Sequence, residues 1–542
     1  MARQTRSVHA RIFETQRVFE AQSAFDEQLY AALRNSPWWM ISVAAHVLLF
    51  VVSGMLQSDF VKPAEALQLA VKVDPAVETP PDEMKPDDPD PVEHPAADDF
   101  VARENKIMDA HDDQPAEDDN DIDNHDTYGD TDGKLSGDFT GPSTNAVIGL
   151  LGGLRVGGHG LGGRTKHGRG RGGTTQKTED AVDHALRWLA AHQSPDGAWE
   201  AEGFGRWADG KPVVGEGPDG KGKAQYDVGV TGLALLAFLG SGITPMTEGR
   251  YGKVVRDGLK WLKNGQDAEG CLGSRATGHH VYNHSIGALA LVEAYGMTGS
   301  TIWKSPAQKA LDYIAISRNP YYAWRYGVKP GDNDTSVTGW MMMALKSAKL
   351  INQADTDRSK PPSFEFDADA FDGIRAWVDK MTDEGSGRVG YQQRGSGPAR
   401  ATDLVDRFPA DRSESMTAVG VLARVFLGEN PKTSLVVQKG AGLCAALPPT
   451  WNPAGGTIDM YYWYYATLAL FQVGGDAWKK WDGAMKSAVA ETQRLDTDYA
   501  LYKGSWDPVD PWGGDGGRVY STAVMAMCLE VYYRYDRVAG AR

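Results

Sequence analysis

The side chains that could bind a metal are grouped at one place in this chain. His279, His280 and His284 follow Cys271 within a short stretch. Their spacing matches no standard zinc motif, and part of the group falls in a predicted loop, so we predict neither a metal site nor a cofactor. The chain has three widely spaced cysteines and no CxxC pair. This pattern predicts buried thiols and leaves one intramolecular disulfide open.

Two acidic side chains occupy equivalent positions before apolar helical segments. Asp334 and Asp227 each lie four residues before a threonine, Thr338 and Thr231 respectively. An acid at a helix N-terminus is stabilised by the free backbone N–H groups and by the helix dipole. The simplest interpretation of both acids is therefore structural. Asp332 adds a third carboxyl to the same stretch.

Aromatic side chains are concentrated in two apolar segments. Tyr461–Tyr465 is an unbroken aromatic run, and Trp340 is followed by three methionines. Aromatic walls suit apolar, isoprenoid or sugar ligands, and the alternative is that these rings simply fill a large core. The ligand-cavity candidates are Trp340, Tyr461, Tyr462, Trp463, Tyr465, His284 and Tyr520.

These residues belong to six repeats that run from Thr178 to near the C-terminus. Each repeat contains a small residue followed by an apolar run, and such all-round apolar segments are typical of buried helices. Aligned, the six segments place small residues at one position: Gly232, Ala288, Gly339, Ala418, Ala466 and Ala523.

An amphipathic segment precedes each apolar one, for example EDAVDHALRWLAAHQ before the first and GKVVRDGLKWLKNGQ before the second. Buried and half-exposed helices that alternate six times predict a ring of six inner and six outer helices. The expected fold class is therefore all-α, an (α/α)6 toroid over residues 178–538.

Short Gln/Trp elements follow some of the amphipathic segments and indicate a specific protein superfamily. Gln193–Trp199 reads QSPDGAW after the first outer segment, and Gln266–Leu272 reads QDAEGCL after the second. A looser third copy combines Gln493 with the later GSW that ends at Trp506. The domain resembles the prenyltransferase/squalene-oxidase repeat superfamily, which implies the α/α toroid fold and a structural role for these elements.

The resemblance also implies chemistry that can be tested residue by residue. Terpene cyclases of this group protonate an alkene with the central acid of a DxDDT element, and the matching stretch here is Gly331–Thr335, which reads GDNDT. Because Asn333 takes the central position, we expect no ordinary cyclisation unless Asp332 or Asp334 substitutes, with Asp227 a further candidate acid. Neither the prenyltransferase zinc ligands nor the thioester motif is matched.

An uncharged, apolar segment precedes the toroid. Residues 38–56 contain no Asp, Glu, Lys or Arg, which predicts one transmembrane helix. Five arginines precede it, so the N-terminus is expected in the cytoplasm and the toroid outside, in the periplasm of a cell envelope. Within the span, Ser42 and His46 lie one helical turn apart. This pair resembles the anchors of TonB-type energy transducers, and the alternative is a neutral histidine tolerated in a simple anchor.

The segment between the predicted span and the toroid accounts for the net negative charge of the chain. Residues 74–133 hold 22 acidic residues against three basic ones, whereas the whole chain has a net charge of -16. Such a Pro-rich, charged segment is expected to be disordered. The predicted organisation is a cytoplasmic segment (1–36), the transmembrane helix (37–57), an acidic linker (58–135), a Gly-rich linker (136–177) and the toroid (178–538).

Together these features predict a single-pass inner-membrane protein whose toroid binds an apolar, isoprenoid or glycan ligand, or a protein partner. Two alternatives stay open: an enzyme of the cyclase or transferase type, and a coupling protein driven by a membrane partner that meets the span. No nucleic-acid partner is expected, because the basic Gly-rich linker is predicted to lie outside the cytoplasm.

Overall fold

The structure is a computed structural model that describes residues 174–215, 217–354 and 362–534, all within one compact unit. The regular secondary structure of the described residues is almost entirely helical. Six outer helices are α1 (Gln176–Ala191), α3 (Gly249–Asn264), α5 (Thr301–Ser317), α7 (Asp369–Met381), α9 (Leu435–Ala446) and α11 (Gly475–Ala490). They alternate with six inner helices, α2 (Asp227–Gly240), α4 (His280–Thr298), α6 (Thr335–Ala354), α8 (Ser415–Phe426), α10 (Met460–Val473) and α12 (Gly513–Leu529). A last turn of helix, α13, covers Val531–Arg534.

The inner helices form a closed ring. Each packs on the next, α2 on α4, α4 on α6, and so on to α12, which packs back on α2. Outer helix α11 likewise contacts α1. The predicted all-α toroid is confirmed by this order of contacts, and the six aligned small residues all lie on inner helices.

Small residues are required where the inner helices cross closely. A Cβ atom on Gly232 would lie 3.0 Å from the backbone of Ile286 and Gly287 in α4. The inner helices are buried on nearly all sides, whereas α1, α3 and α7 bury one face and expose the other. Burial of apolar surface against this ring is therefore what holds the outer helices in place.

The Gln/Trp elements tie each outer helix to the next one. Gln193 Nε2 donates to Val254 O in α3, and Gln266 Nε2 donates to Pro306 O in α5, at 2.9 and 3.0 Å. Gln493 Nε2 donates to Ala181 O in α1 at 2.8 Å, which joins the last repeat to the first. These glutamines are therefore structural, as the resemblance implies.

A further copy of the element escaped sequence analysis because its glutamine is replaced. Asn319 follows α5, and the indole Nε1 of Trp324 donates to Ile314 O at 2.8 Å. Trp199 and Trp506 make the same bond to Leu189 O and Val489 O at the ends of their own outer helices. The tryptophan in each case covers the C-terminal end of an outer helix, where carbonyl groups lack helical partners.

One small strand pair interrupts the helical pattern. Trp207–Ala208 (β1) pairs antiparallel with Lys211–Pro212 (β2) through a turn at Asp209 and Gly210. Both turn residues have positive φ, 52° and 73°, as a tight type I′ hairpin requires. The sequence analysis expected no strand here, because two residues per strand leave no alternating pattern to detect.

The predicted membrane span, the acidic linker and residues 136–173 of the Gly-rich linker lie outside the described residues, and α1 begins at Gln176, within the end of the predicted linker. Within the parts that the structure describes, no helix is long and apolar enough to cross a membrane. The transmembrane helix, its Ser42–His46 pair and the acidic linker therefore stay predictions.

Candidate functional site

A cavity opens where the N-terminal ends of the six inner helices meet. Its volume is about 130 Å³. Among the residues that the structure describes, its wall contains seven tyrosines, two tryptophans, His279, Asn283, Ser336 and Asp515, and no lysine or arginine. The aromatic members of the wall are Tyr226, Tyr282, Tyr326, Trp340, Tyr391, Tyr461, Tyr464, Trp512 and Tyr520.

Stacked aromatic rings close the inner end of the cavity. The rings of Trp340 and Tyr464 are stacked, with centroids 5.5 Å apart and planes 16° apart. Tyr465 packs edge-on against Trp340 at 5.4 Å. Val230, Leu233, Ile286, Met416 and Val524 complete the apolar part of the lining. This end of the site can contact a ligand only through apolar and aromatic surface.

The tyrosine hydroxyls of the side wall are largely paired with one another or with neighbours. Trp340 Nε1 donates to Tyr282 OH at 3.0 Å, and the hydroxyls of Ser336 and Tyr461 are 3.0 Å apart. Tyr520 OH donates to Asp510 Oδ2 at 3.0 Å. The wall thus presents aromatic faces with polar tips that are already held in position.

Asp510 is a buried carboxyl immediately behind this wall. Burial and the nearby charge of Asp459 raise its pKa to about 7. Asp459 itself forms a buried ion pair with Arg400, with Nη2 and Oδ2 2.6 Å apart. Asp459 also accepts from the backbone N–H of Tyr462 and so caps α10.

The mouth of the cavity is more polar. Lys223 Nζ and Asp515 Oδ1 form an ion pair at 2.6 Å, which neutralises the one carboxylate of the lining. His279 lies edge-on to the Tyr326 ring at 4.5 Å, and partial burial lowers the pKa of its imidazole. The hydroxyls of Tyr326 and Tyr391 are 2.6 Å apart.

Asp334 lies behind that tyrosine pair, at the start of α6. Its Oδ1 accepts from the backbone N–H of Val337 at 2.7 Å, so it caps the helix. Its side chain is 0% exposed, and Arg325 Nε lies 4.0 Å from Oδ2. Burial raises the pKa of Asp334 to about 7, although the Val337 N–H, the Arg325 charge and Tyr391 all act in the opposite direction.

The other two predicted acids lie away from the cavity lining. Asp227 Oδ1 accepts from the backbone N–H of Ala201 at 2.8 Å, and burial raises its pKa to about 6. Asp332 is half exposed and forms an ion pair with Arg325. Asn333 turns to its own loop, where its side-chain oxygen accepts from Ala323 N at 3.0 Å. Asn333 therefore holds its own loop in place.

The structure divides the predicted cavity residues into two groups. Trp340, Tyr461 and Tyr520 line the cavity. Tyr465 packs directly behind Tyr461 and Trp340. Tyr462 donates to Cys444 O at 2.9 Å and faces outer helix α9, away from the cavity. Whether the lining residues bind a ligand stays a prediction.

Trp463 and His284 also lie away from the cavity. The Trp463 ring packs against Trp451. Within buried His284, Nδ1 accepts from Leu272 N at 3.1 Å and Nε2 lies 3.0 Å from Ala310 O. His284 therefore fastens the second Gln/Trp-type element to the neighbouring outer helix, and burial lowers its pKa to about 4.

No group of three or more metal-ligating side chains forms within the described residues. All three cysteines are buried free thiols, so the open disulfide alternative is not formed in this structure. Burial raises the pKa of each thiol, which keeps it protonated at neutral pH.

Sequence analysis missed most of the tyrosines that form the mouth and wall. Tyr226 immediately precedes α2 and Tyr282 lies in the first turn of α4, whereas Tyr326 and Tyr391 lie in the loops that precede α6 and α8. For Tyr226 and Tyr282 the available signal was their position at the start of an inner helix, because all inner helices begin at the same end of the ring. Trp512 follows the same rule immediately before α12.

No known protein family matches the chain, and no curated protein does. Among solved structures, the GH76A α-1,6-mannanase of Salegentibacter sp. HEL1_6 is similar at 10% identity and a TM-score of 0.42, covering 66% of this chain and 98% of that one.

Two other solved structures are similar at the same level. Cellobiose 2-epimerase from Bacillus thermoamylovorans B4167 gives 14% identity, a TM-score of 0.44, and coverage of 66% and 98%. The type II terpene cyclase MstE from Scytonema gives 11% identity, a TM-score of 0.38, and coverage of 66% and 97%. Likeness at these scores carries no argument about ligand or activity. The assignment of this chain to the helical toroids stands on its own closed ring of helix contacts.

Proposed function

We propose that the toroid is a ligand-binding domain that holds a ring-sized, mainly apolar or aromatic group in its central cavity. The observation that carries this proposal is the cavity wall, with seven tyrosines and two tryptophans at the meeting point of all six inner helices. Aromatic rings offer large, rigid contact surfaces at low cost in side-chain entropy. The polar tips of the tyrosines and the ion pair at the mouth suit a ligand with one polar end.

The size of the cavity limits the ligand. A cavity of about 130 Å³ is close to the roughly 150 Å³ that accommodates benzene. It is well below the roughly 300–1,000 Å³ of pockets for drug-sized ligands. One ring or one branched isoprene-sized group fits, and a whole triterpene does not. Together with the amide at Asn333, this supports binding rather than polyprene cyclisation.

A single sugar ring is the second candidate ligand. The observation in its favour is the row of hydroxyl groups along the side wall, where Ser336, Tyr282 and Tyr461 each make a hydrogen bond. A pyranose can stack its C–H face on an aromatic ring and use its hydroxyls at such a wall. The apolar inner end of the cavity favours the less polar ligand.

Binding should depend on Trp512, which is half-buried in the mouth wall. Trp512→Ala is expected to weaken binding of 3-methylbut-2-en-1-ol about tenfold, because one aromatic wall is lost, and about 1.4 kcal/mol corresponds to that factor. The measurement is saturation-transfer NMR with full-length protein in lipid nanodiscs, corrected with empty nanodiscs.

Trp451→Ala is the matched control. Trp451 is also half-buried but lies outside the cavity lining, so its loss should leave the affinity unchanged. A parallel titration with glucose separates the two ligand classes. Failure of both probes to bind the unmodified protein, or equal losses in the two variants, would contradict the proposal.

We further propose that residues 38–56 anchor the chain in the inner membrane and display the toroid in the periplasm. The support is the uncharged span and the five arginines before it. A partner membrane protein that contacts Ser42 and His46 is part of this proposal, because a polar pair in lipid is stabilised by a polar partner.

Orientation can be tested with a reporter fused after residue 140. Alkaline phosphatase fused there should be active and green fluorescent protein dark, because the former folds only outside the bacterial cytoplasm and the latter inside it. The reverse pattern would contradict both the orientation and the location. Crosslinking from position 42, with and without His46→Leu, tests the polar pair, and unchanged crosslinks in His46→Leu would contradict a partner contact through His46.

A further inference from the structure

Tyr326 and Tyr391 form a fixed pair at the mouth of the cavity. Both line it, and their hydroxyl oxygens are 2.6 Å apart. Backbone bonds to the start of α6 hold both segments: Thr335 N donates to Tyr391 O at 3.1 Å, and Asp334 N donates to Trp324 O at 2.9 Å. The geometry of the pair is therefore set by the fold rather than by a ligand.

A buried carboxyl stands behind this pair. Asp334 Oδ2 makes no hydrogen bond of standard geometry within the described residues, although Oδ1 is bound by Val337 N. The Tyr391 hydroxyl lowers the pKa of this carboxyl, while burial and, after it, the Asp334 charge raise the pKa of both tyrosines. Carboxyl, Tyr391 and Tyr326 thus form a short chain of polar groups that ends in the cavity.

We infer that Tyr326 and Tyr391, backed by the buried carboxyl of Asp334, form a hydrogen-bond donor site for a carbonyl oxygen of the ligand. This inference rests on the proposed function and names the polar atom that the ligand carries. The inferred ligand is therefore a ring-sized ketone, aldehyde or enone whose hydrocarbon part lies against Trp340 and Tyr464.

The direction of the donor chain follows from the proton on Asp334. When Asp334 is protonated, its O–H can donate to Tyr391, Tyr391 donates to Tyr326, and the Tyr326 proton is free for the ligand. When Asp334 is ionised, it accepts from Tyr391, Tyr391 accepts from Tyr326, and no donor is left for the cavity. Successive hydrogen bonds of one direction strengthen each other.

Other charged and titratable groups face this chain, and comparison with Asp334→Asn separates their titration from that of Asp334. Arg325 is the nearby cation, and it is paired with Asp332. His279 contacts the Tyr326 ring, and Tyr282 and Tyr461 lie within electrostatic range of Asp334. Burial raises the pKa of Asp334 to about 7, so the donor arrangement is expected below that pH and the acceptor arrangement above it.

Acetophenone is a suitable probe, because it has one ring, one carbonyl and no proton to donate. With full-length protein in nanodiscs at pH 5.5, the infrared C=O band of bound acetophenone should lie below its frequency in hydrocarbon. At pH 8.5 the band should return toward that frequency, and affinity should fall about fivefold, the value of one ordinary hydrogen bond.

Three variants make the test specific. Tyr326→Phe should abolish the band shift at both pH values, whereas Tyr295→Phe, a control outside the cavity lining, should retain it. Asp334→Asn places an amide donor behind Tyr391, so it should keep the shifted band at pH 8.5. Asparagine also preserves the shape of the aspartate side chain and can still cap the helix.

The outcomes separate this inference from the proposed function. If acetophenone binds but its band is unshifted at pH 5.5, or is shifted equally in Tyr326→Phe, the donor site is wrong and the binding cavity stands. If neither acetophenone nor the isoprenoid alcohol binds the unmodified protein, the proposed function itself is wrong.

Discussion

Replacement of Arg400 by Met is expected to lower the free energy of unfolding by about 3–5 kcal/mol at pH 8, as measured by denaturant unfolding. Arg400 and its partner Asp459 are each only 3% exposed, and Nη2 and Oδ2 are 2.6 Å apart. Removal of the guanidinium leaves the Asp459 carboxylate buried beside Asp510 without its counter-ion. Attraction within a buried ion pair offsets desolvation only while both partners are present.

Two controls identify the cause of that loss. The double variant Arg400→Met with Asp459→Asn should recover most of the stability, because no unpaired charge remains and asparagine can still cap α10. Lys479→Met removes an exposed ion pair with Asp476 and should cost less than about 1 kcal/mol. A loss below that level in Arg400→Met would show that the buried pair is not needed for the fold.

Replacement of Asp334 by Asn is expected to stabilise the protein at pH 8 by a few kcal/mol and to have little effect near pH 4. Folding raises the pKa of Asp334 from 3.8 to about 7, so the folded state binds this proton more tightly than the unfolded state. The stability that Asp334 provides in its protonated form is therefore lost as pH rises from about 4 to about 7.

The difference between variant and parent is the quantity to measure, because other groups titrate in the same range. Asp227 and Asp510 also have raised pKa values and act in the same direction. Burial lowers the pKa of His192 and His284 to about 4, so the stability that these neutral imidazoles contribute to the folded protein is lost as pH falls from 6.5 toward 4. Asp332→Asn, a change at a half-exposed carboxyl, is the control. A difference curve for Asp334→Asn that stays flat with pH would contradict the assignment.

The toroid could be predicted from sequence because its energetics are repetitive. Each repeat buries an apolar helix against its neighbours, so the pattern recurs six times and small residues mark the close crossings, as at Gly232. The copy around Asn319 and Trp324 was missed, because recognition relied on glutamine, whereas this copy has Asn319 and keeps only the indole bond of Trp324 to the helix end.

The cavity could be predicted only in part. In a helix, residues three or four apart share a face, so Tyr461, Tyr464 and Tyr465 point inward while Tyr462 and Trp463 face the outer layer. The aromatic run alone therefore did not show which of its members line the cavity. Tyr326 and Tyr391 are far apart in the sequence, and only the closing of the ring brings their hydroxyls to 2.6 Å.

The roles of Asp334 and Asn333 could likewise be predicted only in part from the sequence. Asp334 and Asn333 are adjacent, yet one caps α6 behind the cavity and the other clamps its own loop. Their roles depend on the backbone path between α5 and α6, which the sequence pattern does not fix. Sequence reasoning correctly gave Asp334 a helix-terminal role but had no means to detect its burial beside the tyrosine pair.

Photolabelling tests the central claim, that the cavity at the inner-helix N-termini is the ligand site. A small aliphatic diazirine alcohol, irradiated with the full-length protein in nanodiscs and mapped by peptide mass spectrometry, should label the cavity segments around residues 282–286, 336–340 and 461–464. Excess acetophenone should suppress that labelling. Labels confined to the outer helices, or unaffected by competition, would contradict the account.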